Sequence, residues 1–313
     1  MTTTSQSASV AAVQRVERTP RAPKVKHKRD WGGWKFIGPF LLVFAVVFIA
    51  PVVYSIYLSL FKDQLIGGNS FVGLDNYAQA FQDPKLWESL GRVALFLVVQ
   101  VPIMLGVALF ASLALDSARL RAASFFRIAI FLPYAVPAVV ATLMWGFMYG
   151  TQFGLVGSIN DFLGSAIPAP LSSSWVLVAI GNISTWEFIG YNMLLFYAAL
   201  RVIPTDLYEA AELDGAGAFR IIRSIKLPAL RPAIVIGTIF SIIGSFQLFN
   251  EPNILQSLAP NSISTYFTPN MYAYNLSFSG QQYNYSATIA IIVGLATAII
   301  AYVVQLSGTR KES

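Results

Sequence analysis

The sequence predicts an all-α integral membrane protein of six transmembrane helices, and three observations carry that expectation. Hydrophobic residues make up 56% of the chain and charged residues only 12%, where a soluble domain carries roughly 25% charge. Mean hydropathy is +0.61. Six apolar stretches, at about 36–61, 90–115, 125–149, 175–200, 232–256 and 285–307, each reach the ~20 residues needed to cross ~30 Å of hydrocarbon. None alternates apolar and polar residues as a barrel strand does, so each must satisfy its own backbone as a helix.

Taken in order, residues 1–35 are a basic N-terminal tail, rich in Ser, Thr, Ala, Lys and Arg, without helical periodicity and expected to be disordered. No cleavable signal peptide is expected, because the first apolar run has full span length and follows a long polar segment. Residues 36–307 then form one six-helix domain, with 308–313 as a C-terminal tail. The first span holds Pro39 and Pro51, the second Pro102, and the third Pro133 and Pro137. Proline frees a backbone carbonyl and bends a membrane helix, a device that serves packing as well as a solute path. The segment Phe71-Val72-Gly73-Leu74-Asp75-Asn76-Tyr77 and an amphipathic stretch through Trp87 follow the first span. Segments 150–174 and 257–284 contain no Lys or Arg and read as structured caps.

Charge fixes the expected orientation. The tail at 1–35 holds eight Lys/Arg, segment 116–127 three, segment 201–231 five and the C-terminal tail two, against Lys62, Lys85 and Arg92 elsewhere. By the positive-inside rule both termini and segment 201–231 are cytoplasmic. The net charge of +6 follows from that asymmetry, so the basic tail reads as an orientation signal in contact with membrane lipid and not as a nucleic-acid site.

Chemistry is bounded by what is missing. There is no cysteine, the one histidine is His27 in the tail, and no Gly-x-x-x-x-Gly-Lys-Ser/Thr occurs. No catalytic residue, metal site or bound cofactor is therefore expected of this chain. Polar groups at membrane depth are informative instead: Asn182, Thr185, Trp186, Glu187, Tyr191 and Asn192 in the fourth span, and Ser241, Ser245, Gln247, Asn250 and Glu251 in the fifth. Facing lipid they would cost several kcal/mol. Neutral donors and acceptors among aromatic rings suit an uncharged, polyhydroxylated solute; interhelical hydrogen bonding is the competing reading.

Between the fourth and fifth spans lies a polar island that reads as two short helices around a turn. Pro204 stands near the start, Asp206 in the first turn and Gly215 where a helix can end left-handed. A second helix is expected over Ala218 to Lys226, with Phe219, Ile222 and Ile225 on one side and Arg220 and Arg223 on another, ending at Pro228 and Pro232. Such an element suits docking against another protein.

The order Glu209-Ala210-Ala211, Asp214-Gly215-Ala216 and Ile225-x-Leu227-Pro228 resembles the EAA loop of permease subunits in binding-protein-dependent ABC importers. Pro39, Pro51, Ser55, Ser59 and Phe61, and the segment Phe71 to Tyr77, are similar to the maltose-type (MalF-like) carbohydrate permeases. The C-terminus lacks the glycine-rich ending of the other permease in such pairs. Leu258-Ala259-Pro260 stands near where many sugar permeases carry Gly-Gly-Pro.

The resemblance implies a type I importer (MetI-like) fold in the cell membrane and a heterodimer with a second, homologous permease. It also implies two ATP-binding subunits that hold ATP and Mg, and an extracellular sugar-binding protein that delivers a carbohydrate. Tyr208, Glu209, Ala210, Ala211, Asp214, Gly215, Ala216, Leu227 and Pro228 would serve ATPase coupling. Asn182, Trp186, Glu187, Tyr191, Asn192, Ser245, Gln247, Asn250 and Glu251 would line the substrate pathway. The competing expectation is an ion-coupled secondary transporter that uses Glu187 and Glu251.

Overall fold

The computed structural model describes residues 32–64, 68–117, 120–164 and 167–309. The tail expected over 1–35 lies outside the described residues up to Trp31, and positions 310–313 of the C-terminal tail do as well. The chain divides into two compact units, the second beginning at Val52.

In the first unit α1 (Gly32–Phe44) runs through Pro39 into a π turn over Ala45–Ile49, and α2 (Ala50–Ser59) begins there. The described helix begins at Gly32, within the range expected for the tail. Pro51 has no N–H to give the preceding turn, and the wide π turn relieves the crowding that its ring creates. The run Trp34–Ser59 is long and apolar enough to cross a membrane.

The second unit holds the rest of α2 and then a hairpin, β1 (Phe61–Gln64) antiparallel to β2 (Gly68–Phe71), with Phe61 opposite Phe71. After α3 (Asp75–Phe81), α4 (Pro84–Leu115) starts on Asp83, which caps the Lys85 N–H at 2.9 Å. The other Asp83 oxygen accepts from Tyr272 Oη at 2.5 Å and Tyr285 Oη at 2.8 Å. One carboxylate therefore ties α4 to α13 (Pro269–Phe278) and α14 (Tyr283–Thr309). Asn76 donates to the carbonyls of Ser59 and Phe61, and Asn284 to that of Leu58. These bonds fix the end of α2.

Each of the six expected spans falls on a helical run, two of them on bent pairs. Among the described residues four helical runs are long and apolar enough to cross a membrane, or up to six if each of two bent pairs is one span. The first such pair is α5 (Ala123–Phe131) with its 3₁₀ continuation Leu132–Ala135, and α6 (Ala138–Met148), bent by 98°. Pro133 and Pro137 explain the break: neither can donate in a helix, and each restricts the residue before it. The second pair is α8 (Val176–Leu200) and α9 (Thr205–Leu213), bent by 71° where Pro204 stops the helix.

The fifth run also differs from expectation. The separate helix expected over Ala218 to Lys226 is instead the start of one run, Ala218–Leu255, made of α10 (Ala218–Ile221), a π turn over Ile222–Lys226, α11 (Leu227–Phe246) and α12 (Asn250–Leu255). Pro228 falls in the first turn of α11 directly after the π turn, so its missing N–H interrupts no regular helix. Ile221, and not Phe219, is the buried side chain of α10.

Helix α4 packs along α8, and α11 along α14. Phe96, Ile180, Ile183, Leu255 and Met271 belong to one buried cluster, Met104, Met193, Phe196, Leu200 and Leu230 to a second, and Val93, Ile242, Phe246, Tyr272 and Ile289 to a third. In lipid such clusters hold by close packing and hydrogen bonds, since leaving lipid for protein gains little hydrophobic energy. The cap segments expected outside the bundle carry α7 (Leu155–Leu163) and α13.

Candidate functional site

Two features are candidates: a cavity among the helices, and the polar island at the other end of α4 from Asp83. The cavity, about 490 Å³, is lined by side chains of α4, α8, α11 and the breaks after α5 and α11. The break at Pro133 brings in Tyr134, whose ring stacks on Tyr191 with centroids 5.3 Å apart and meets Phe188 edge-on at 6.0 Å. This approach depends on Gly190: a Cβ there would stand 2.2 Å from the Ile130 carbonyl oxygen and 2.6 Å from Phe131 Cα. Only a residue without a side chain lets the α5 backbone lie against α8 at that point.

The second break follows Phe246. Its freed carbonyls are met by α13: Asn270 donates to Phe246 O at 2.9 Å, and Thr268 Oγ1 to Leu248 O at 2.9 Å. Irregular backbone at membrane depth is thereby satisfied by protein, and Gln247, Asn250 and Glu251 turn into the cavity wall. Ser241 and Ser245 line it too, with their hydroxyl protons given to the carbonyls of Gly237 and Ser241.

Of the residues expected to line a pathway, Tyr191, Asn192, Ser245, Gln247, Asn250 and Glu251 border this cavity. Three do not. Asn182 donates to Tyr149 Oη at 2.8 Å, which in turn donates to Ala179 O, and Trp186 packs edge-on against Trp145. Glu187 is buried, with Oε2 unpartnered, and is not part of the lining. Helical geometry turns Asn182 and Trp186 to the opposite side of α8 from Tyr191, whereas Glu187 stands one turn before Tyr191 on the same side.

Gln100, Ser184 and Tyr134 line the cavity beside the residues expected from the sequence. Gln100 donates to Thr185 Oγ1 at 3.1 Å and bridges α4 to α8. An amide in an otherwise apolar second span was its only signal, while Tyr134 between two prolines gave none without the fold. Asn192 donates to Phe188 O at 3.0 Å and leaves Oδ1 without a partner. Glu251 is the one charged residue in the lining. The arrangement offers acceptors and an aromatic surface, hence fits a ligand rich in hydroxyl donors and ring C–H faces.

The island shows α9 as an exposed helix. Asp206 sits in its first turn, and Glu209, Ala210 and Glu212 are exposed. Leu207 and Leu213, 51% and 89% exposed, are apolar side chains without cover. Its end is a Schellman motif: Gly215 has φ +75°, the Ala216 N–H bonds Ala211 O at 2.9 Å, and the Gly215 N–H bonds Glu212 O at 3.0 Å. Glycine takes that left-handed conformation without the ~1–2 kcal/mol that a side chain costs. Beside it Ala211, Asp214, Ala216, Arg220, Ile221, Ser224 and Ile225 form a cleft of about 220 Å³. Leu227 is half-buried and Pro228 exposed at the root of α11.

Tyr208 does not join the exposed face. Its hydroxyl is buried without a partner, and its ring lies 5.5 Å from the Lys226 ammonium, which donates to Asp116 Oδ2 at 2.6 Å. Among the described residues no group of His, Asp or Glu is placed to hold a metal ion.

Comparison with known proteins adds three findings. Residues 108–311 match the family model described as "Binding-protein-dependent transport system inner membrane component". The lactose transport system permease protein of Rhizobium radiobacter is 33% identical over 89% of this chain and 94% of its own length. The trehalose/maltose transport system permease protein of Thermococcus litoralis is 30% identical over 91% and 94%. The backbone also resembles a chain in the crystal structure of a bacterial ABC transporter that imports the acidic polysaccharide alginate, with a TM-score of 0.75 at 20% identity, over 90% of this chain and 96% of that one.

Proposed function

Because the chain belongs to the family of inner membrane components of binding-protein-dependent transport systems, whose members are transport subunits and not enzymes, we propose that it is one permease of an ATP-driven sugar importer. The observation that carries this reading is α9: a short helix with charged and apolar side chains exposed together, braced at its end by Gly215. A free membrane protein has no use for uncovered Leu207 and Leu213 beside Glu209; a docking partner covers them. The chain has no phosphate-binding loop of its own, so two partner subunits bind ATP and Mg and meet α9 on the cytoplasmic side. A second, homologous permease completes the pathway, and an extracellular binding protein delivers the solute.

The cavity supports a neutral sugar as that solute. Its volume of about 490 Å³ lies in the ~300–1,000 Å³ range of small-molecule sites. The stacked pair Tyr134 and Tyr191 suits a sugar face, and the unpartnered acceptor of Asn192 suits a hydroxyl. With Glu251 in the wall and no Lys or Arg, an anionic saccharide finds no counter-charge there. The named relatives carry lactose, trehalose and maltose, and one from Bacillus subtilis carries arabinooligosaccharides. The pair Glu187 and Glu251 favours a second reading, ion-coupled uptake, which differs in needing neither ATP nor α9.

Co-expression with its neighbouring permease, ATPase and binding-protein subunits tests this. The complex is expected to co-purify and, in proteoliposomes, to take up a sugar from a panel of lactose, maltose, trehalose and arabinose oligomers only with MgATP. Glu209→Lys, which reverses the exposed charge on α9, is expected to release the ATPase and stop uptake. Uptake by this chain alone on a proton or sodium gradient overturns the reading.

A further inference from the structure

We propose that Lys226, held between Asp116 and Tyr208, is a positioning joint that keys α9 to the helices bearing the cavity. This rests on the reading of α9 as the ATPase-docking helix and extends it to how movement leaves that helix.

Three elements meet at one cation. Asp116 caps the C-terminus of α4, Lys226 closes the π turn that leads into α11, and Tyr208 lies in the middle of α9. The ammonium donates to Asp116 Oδ2 at 2.6 Å and faces the Tyr208 ring at 5.5 Å. Its side chain is 13% exposed and that of Asp116 8%. Out of water such an ion pair is strong and intolerant of displacement, and the cation–π contact gains by the same desolvation. The other ion pair among the described residues, Arg92 with Glu88, lies within one helix and joins no two elements.

The helices so joined are those of the cavity. Phe96, Gln100 and Met104 on α4 and Phe240, Ser241 and Ser245 on α11 line it. Among the described residues helix α9 has no extensive packing on another helix, and the Tyr208 ring reaches the bundle through Lys226. The π turn at Ile222–Lys226 supplies the place where the fifth run can re-wind, as such turns do. The buried Tyr208 hydroxyl has no partner; the ring, not the hydroxyl, does the positioning.

The chain has no cysteine, which permits a direct test in the assembled complex with cysteine-free partner subunits. An environment-sensitive fluorophore on Ser241→Cys reports the cavity while MgATP and vanadate trap the ATPase subunits. The wild-type background is expected to respond. Lys226→Met, and the doubly neutral Asp116→Asn with Lys226→Met, are expected to hydrolyse ATP and keep their subunits while the cavity response falls about five-fold or more. Lys226→Arg and Tyr208→Phe are expected to respond as wild type, and Tyr208→Leu as Lys226→Met. The doubly neutral variant leaves no unpaired charge, so its loss of response reports on linkage and not on misfolding.

A full response in the doubly neutral variant overturns the joint while leaving the transport reading intact. Absence of any MgATP response in the wild-type background overturns both.

Discussion

At the scale of single residues, Gly190 sets how closely α5 approaches α8, and through that the placement of Tyr134. Any side chain there meets the Ile130 carbonyl at 2.2 Å, a clash that a neighbouring backbone cannot relieve without moving. Gly190→Leu is expected to destabilise the fold by about 3 kcal/mol or more, at the upper end of overpacking costs. Gly190→Ala is expected to have a smaller effect of the same sign. Thermal unfolding in detergent measures both, and quenching of the Tyr134–Tyr191 pair reports the local displacement. The sequence shows Gly190 plainly as a glycine in an apolar helix; only the fold shows what crosses it. Tyr208 carries the opposite lesson. Its place in the motif suggests a contact with a partner, yet its ring turns inward onto Lys226.

At the scale of elements, the Asp83 carboxylate binds α4, α13 and α14 into one cluster. Burial raises its pKa, but the hydrogen bonds from Tyr272, Tyr285 and the Lys85 N–H, with the charge of Lys85, outweigh burial and hold it below its ordinary value of 3.8. Burial and the same hydrogen bond push the Tyr272 hydroxyl up, so it stays a donor. A carboxyl whose pKa is lower folded than unfolded stabilises the fold fully above the unfolded value, and that stability is lost as pH falls through the folded value. Melting temperature is therefore expected to be flat toward neutral pH and to fall below about pH 4. Asp83→Asn should lower it at neutral pH and remove that part of the acid dependence; an unchanged acid limb would show that Asp83 is not its source. The tie was invisible in sequence, because its two tyrosines lie 189 and 202 positions away. The kink at Pro133 and Pro137 was legible as a bend, while its angle of 98° was not.

At the scale of the whole molecule, orientation still rests on charge distribution, and two exposed positions check it. Leu213, on the island, and Phe278, on α13, are 89% and 71% exposed. In a chain without cysteine, each single Leu213→Cys or Phe278→Cys variant is a unique label site. A membrane-impermeant maleimide is expected to label position 278 in intact cells and position 213 only after permeabilisation; the reverse pattern overturns the topology. Composition, span length, the positive-inside asymmetry and the island's motif were enough to determine a multi-pass membrane protein and its family, because each is a local or summed property of the chain. The short helix α9 was likewise readable, since Pro204 and Gly215 act on the backbone beside them. Tertiary structure alone decided that the fifth run extends from Ala218 to Leu255, that Asn182 and Trp186 stand outside the cavity lining, and that Gln100 and Tyr134 join it. It also decided that Lys226 pairs with Asp116 across 110 positions. The physical reason is the same in each case: which face of a polar helix turns inward depends on what distant segments place against it, and no periodicity within the helix encodes that neighbour.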